Sequence, residues 1–234
     1  MNTISSRSSS DAVKHLISIN IVVYAGIFVF SRYGLDMLLA LYNPFDVSFE
    51  FYQPLTHMFV HSRELFVHIL FNMLALWMFG AKMEQILGSR KFLVLYFISG
   101  IAAGLFQIFF NMGIIYNYAG TLDFSQISHD EILYNALSDK QRAALQLAMY
   151  APMMGASGAV AGVVGAFARF FPDNKIFIMP FPFPIAVRKA LMFFVVISLV
   201  LALFNLSSGV AHFAHIGGTI AGYSIAGYYL RGAL

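Results

Sequence analysis

Cysteine is absent from this chain of 234 residues, which excludes disulfides, thiolate metal sites and a cysteine nucleophile. Charge is scarce too: Asp, Glu, Lys and Arg make up 11% of residues, against about 25% in an ordinary soluble domain. There is no basic run interleaved with aromatics, so no nucleic-acid partner is expected. No HExxH pattern occurs, and no cofactor or metal is expected. The opening "MNTISSRSSSDAVKH" lacks the ordered basic, apolar and small-residue regions of a secretory leader, so no removable signal peptide is expected. What remains is apolar. Hydrophobic residues reach 59% and the mean hydropathy is +0.75. Too little polar surface is left to cover such a chain in water, which places it in a lipid bilayer.

A spanning helix needs about 20 mostly apolar residues. Six runs qualify as candidates: Leu16–Phe30, Leu65–Gly80, Phe92–Phe110, Met154–Phe171, Ala190–Phe204 and His212–Leu230. The expectation is an all-α membrane protein, a bundle of six transmembrane helices in one domain over 16–234, after a short polar cytoplasmic tail over 1–15. The loop over 31–64 is rich in Tyr and Phe, residues that favour the headgroup level. A polar insertion over about 116–146 ends in a helical pattern that suits the membrane surface.

Cytoplasmic loops are enriched in Lys and Arg. With the N-terminus inside, ten of the fourteen cations fall inside: Arg7, Lys14, Lys82, Arg90, Lys91, Arg169, Lys175, Arg188, Lys189 and Arg231. Arg32, Arg63, Lys140 and Arg142 fall outside. This predicts a multi-pass protein with both termini cytoplasmic, and a bacterial inner membrane is the expected location. The second, fourth and sixth spans then all start from the outer face.

Polar residues inside spans are costly and call for a reason. His68 and Asn72 lie four apart on one face of the second span. Ser157 lies in "APMMGASGAVAGVVGAF" at the start of the fourth, and His212 and His215 open the sixth. All of them fall near the start of an even-numbered span, hence at similar depth below the outer surface. A serine hydroxyl becomes a nucleophile when a neighbouring base accepts its proton, and histidine suits that role. Donors are also needed where negative charge develops, and His68, Asn72 and the Ser157 backbone N–H are available. Gly158 and Gly162 on one helix, with Gly218 and Gly222 on the other, permit the close approach this requires. Gly155 allows an unusual turn just before the serine. Taken singly, the same residues read as helix packing, an interhelical pair or a buried histidine. His57 and His61 read as structural or interfacial, and Glu84 as a cytoplasmic surface pair with Arg90 and Lys91.

With "HILFN", "GASG" and "AHIGGTIAG" in successive even spans, supported by "LTHMFVH" and "MEQILGSRKFLVLY", the chain resembles the rhomboid family of intramembrane serine proteases. The resemblance implies a rhomboid-like bundle in which Ser157 is the nucleophile and His215 the general base, a dyad without a carboxylate. It implies that His68, Asn72 and the Ser157 N–H form the oxyanion hole, with Gly155 shaping the turn. The implied substrates are single-span membrane proteins cut in or near the outer part of their transmembrane helix. The fifth span and the aromatic loop are the implied lateral gates. Two features depart from the family pattern. Tyr52 and Gln53 stand where a Trp-Arg pair is frequent, and Ala161 stands where an aromatic packs on the base. Two other readings compete. One is an inactive relative that binds membrane clients. The other is a metal transporter built on His57, His61, His68, His212 and His215.

Overall fold

The computed structural model describes residues 11–63, 66–177, 183–203 and 211–232. Most of the tail, together with Arg7, Leu65 and Phe204, lies outside the described residues. The first long helix, α1 (Asp11–Val29), begins earlier than the apolar run that starts at Leu16. The cause is Glu84. Its carboxylate accepts from the backbone N–H groups of Ala12 and Val13 at 2.9 and 3.0 Å. These are first-turn donors that the helix itself cannot satisfy. Glu84 also accepts from Ser89 Oγ at 2.6 Å and is buried. The expected surface pair with Arg90 and Lys91 is therefore corrected: the carboxylate turns inward, because unpaired helix N–H groups are stronger partners than solvated cations.

The loop after α1 carries two short helices, α2 (Leu35–Leu39) and α3 (Gln53–Thr56). Buried Gln53 donates to Ser48 O at 2.8 Å and accepts from Tyr42 N at 3.3 Å. Arg63 pairs with buried Asp36 at 3.0 Å, tying α2 to the approach of the next helix. That helix runs from α4 (Phe66–Ala75) through a π-helical turn over Leu76–Gly80 into α5 (Ala81–Leu87). The longest helix, α6 (Ser89–Ala119), follows.

The polar insertion folds as α7 (Phe124–His129), α8 (Glu131–Ala136) and α9 (Asp139–Tyr150). Asp123, Asp130 and Ser138 cap their N-termini, the last with a reciprocal capping box to Gln141. A small core of Phe124, Ile127, Leu145 and Met149 closes over Ile115 of α6. The remaining elements are α10 (Ser157–Phe170), a two-stranded hairpin of β1 (Lys175–Ile176) and β2 (Ile185–Ala186), α11 (Val187–Leu203) and α12 (His212–Arg231).

Among the described residues, three helical segments are long and apolar enough to cross a membrane: Asp11–Val29, Phe66–Leu87 and Ser89–Ala119. The helix α10 is apolar but has only 14 residues, about 21 Å at 1.5 Å per residue. A hydrocarbon core is about 30 Å thick. A helix this short that is buried along most of its length starts or ends inside the bundle rather than at its surface. It packs between α6 and α12 at backbone contact. A side chain at Gly218 or Gly222 would collide with the main-chain carbonyls of Gly158 and Gly162. By contrast, α11 buries only Val187 and Ser198 among its residues.

Candidate active site

The first residue of α10 is Ser157, so its backbone N–H has no partner within the helix and lies at the positive end of the helix dipole. The segment before it is held from two places in the loop after α1. Leu41 and Met153 exchange backbone hydrogen bonds at 2.8 Å in each direction, and Gly155 N donates to His57 O at 2.9 Å. Gly155 has φ +128°, a conformation that side chains rarely allow, and a Cβ there would lie 3.1 Å from the His68 ring. Glycine thus serves both the turn and the contact.

The glycine contact between α10 and α12 brings Ser157 Oγ to 2.9 Å from His215 Nε2. A hydroxyl so placed can pass its proton to the imidazole as the oxygen attacks. Ala161 leaves no aromatic on α10 beside His215. Instead Phe194 of α11 faces the ring, with centroids 5.8 Å apart and planes at 36°. The neighbouring His212 ring meets it edge-on at 6.3 Å.

Ser157, His215, His68, Gly155, Gly158 and His212 all line one cleft of about 570 Å³. Asn72 is not among its lining residues. It is buried one turn along α4, where its amide donates to His68 O at 2.8 Å. The structure thus gathers the serine and four histidines, His57, His68, His212 and His215, at the cleft and sets the carboxamide of Asn72 behind His68. Gly218 and Gly222 do not face the cleft; they set the distance between its walls. His57 and His61 are both buried, His57 at the inner wall of the cleft. His57 Nδ1 donates to Gln53 O at 3.0 Å, and the His61 ring meets His68 edge-on at 5.6 Å.

Sequence reasoning missed a polar pair on α6. Gln107 Oε1 accepts from Ala214 N, a first-turn donor of α12, at 3.2 Å. Gln107 Nε2 donates to Asn111 Oδ1 at 2.8 Å. The available signal was two carboxamides four positions apart in the apolar run "LFQIFFNMG". Phe194 gave none, as one Phe among many on an apolar helix.

Buried small-residue contacts between apolar helices, with a serine and a histidine joined at an open cleft, define a helical membrane protein of hydrolase-like geometry. The Rhomboid domain family model matches residues 48–232, and the chain belongs to the rhomboid family. It is 31% identical over 176 residues to rhomboid protease AarA of Providencia stuartii, covering 74% of this chain and 54% of that one. It is 34% identical over 123 residues to the mitochondrial rhomboid protein 1 of Saccharomyces cerevisiae, covering 53% of this chain and 27% of that one. The chain therefore spans about half or less of the length of these relatives. It is an integral membrane protein.

Proposed function

We propose that the protein is an intramembrane serine endopeptidase, and the observation that carries this reading is the 2.9 Å contact between Ser157 Oγ and His215 Nε2 at an open cleft. With the ring proton on Nδ1, Nε2 accepts the hydroxyl proton while Oγ bonds to the scissile carbonyl carbon. The tetrahedral oxyanion is met by the Ser157 backbone N–H and the His68 ring, with the second Asn72 N–H behind them. His215 then returns its proton to the departing amine, leaving an acyl-enzyme on Ser157. A water molecule, deprotonated by the same imidazole, releases the acid and restores the hydroxyl.

The substrates are single-span membrane proteins cut in or near the outer part of their transmembrane helix, where unwinding frees the scissile carbonyl. In this reading α1, α4–α5, α6, α10, α11 and α12 are six spans of one domain over 16–234, in a bacterial inner membrane. Both termini are cytoplasmic. Supporting this, Lys82, Arg90, Lys91, Arg169, Lys175, Arg188, Lys189 and Arg231 sit on elements at the end away from the cleft. The loosely packed α11 is the wall past which a substrate helix reaches the cleft.

The test is labelling of the purified protein in detergent with a fluorophosphonate, beside Ser157→Ala and His215→Ala. Labelling and cleavage of a model transmembrane substrate by wild type alone support the dyad. Undiminished cleavage by either variant overturns it. Binding of membrane clients that is indifferent to Ser157→Ala, with no labelling, points instead to a non-catalytic relative.

A further inference from the structure

The cleft extends past the serine and histidine, between the far part of α6 and the insertion helix α9. Ala144, Leu147 and Ala148 line it, at spacings that put them on one helical face. The adjoining face of α9 sends Leu145 and Met149, with Ala148 at the boundary, into the small core over Ile115, so its rotation is fixed. Leu147 is nonetheless 47% exposed, an aliphatic side chain that lines the cleft and is only partly covered by protein. Asn111 and Ile114 of α6 line the same stretch.

The carboxamide relay sets the polarity of that stretch. Because Ala214 N–H must find an acceptor, Gln107 presents Oε1 to it and Nε2 to Asn111. Asn111 in turn must present Oδ1 to Gln107, which leaves its Nδ2 as the free end. Among the described residues Nδ2 has no acceptor. An oriented pair of N–H donors beside an aliphatic wall matches extended polypeptide, whose main-chain carbonyls need donors and whose side chains need apolar cover.

We propose that Asn111 and the α9 face of Ala144, Leu147 and Ala148 form a substrate subsite for the residues on the outer side of the scissile bond. Asn111 Nδ2 donates to a substrate main-chain carbonyl, and an aliphatic side chain seats against Leu147 and Ile114 in the space the two alanines leave. This rests on the protease reading and adds to it what the polar insertion does: it selects the sequence that is cut.

The experiment uses the full chain in proteoliposomes and transmembrane substrates carrying Gly, Ala, Leu or Phe at each outer position. Fluorophosphonate labelling of wild type comes first; without it the protease reading falls, and this subsite with it. The readout is then the ratio of kcat/KM for the Leu substrate over the Gly substrate. Ala144→Trp fills the space and should lower that ratio on the order of tenfold at one outer position. Leu147→Ala, a change at an exposed residue that leaves folding intact, should lower it several-fold at the same position. Asn111→Ala should lower kcat/KM for every substrate by about tenfold, the loss of one hydrogen bond, through KM more than kcat. Ratios equal to wild type in both α9 variants, in protein that still labels, overturn the proposal.

Discussion

At the residue scale the proposed mechanism separates groups that would touch the reacting atoms from groups that hold them. Ser157 and His215 touch each other, whereas Asn72 reaches the cleft only through His68. Asn72→Ala should therefore slow cleavage by no more than the roughly 10²–10³ that losing a direct oxyanion donor costs, because it acts through His68, while Ser157→Ala should abolish it. Equal loss from both variants, read in a substrate-cleavage assay, would refute this division of roles. The motif residues His68, Asn72, Ser157 and His215 were legible in the sequence, because a polar side chain in an apolar run is conspicuous. Phe194 was not, since an aromatic among aromatics carries no signal until its neighbour is known.

At the scale of elements, the contact of α10 with α12 decides whether the pair forms. Gly222→Leu forces a side chain against the Gly162 carbonyl and drives the helices apart. Serine labelling should be lost and the melting temperature lowered, consistent with overpacking penalties of about 1–3 kcal/mol or more. Normal labelling would mean the bundle can repack around the new side chain. The N-terminus of α1 depends in the same local way on Glu84. Glu84→Ala leaves the Ala12 and Val13 donors unsatisfied in a buried setting, which should cost about 1–3 kcal/mol per donor. Amide exchange that accelerates over the first turn of α1 checks it. The helices themselves were readable from apolar runs. The early start of α1 was not, because its cap comes from a residue distant in the chain.

At the scale of the whole molecule, the loop after α1 braces the turn before Ser157, and two of its histidines are enclosed while it does so. Burial pushes both His57 and His61 down to about 4 from an ordinary value of 6.5. Their folded-state pKa lies below the unfolded one. The stability they contribute is thus fully present above pH 6.5 and is lost as pH falls toward 4. The melting temperature should hold steady on the alkaline side of that window and drop through it; a flat profile across the window would contradict the burial of these rings. The chain's hydropathy, its scarce charge and its serine, histidine and glycine spacings were enough to determine a helical membrane protein and to single out its candidate site residues, because burial in lipid restricts where polar groups can stand. The tertiary structure alone decided that α9 and Asn111 wall the cleft and that Phe194 backs His215. Each depends on the rotation and depth of one helix against another, which packing fixes and no local pattern encodes.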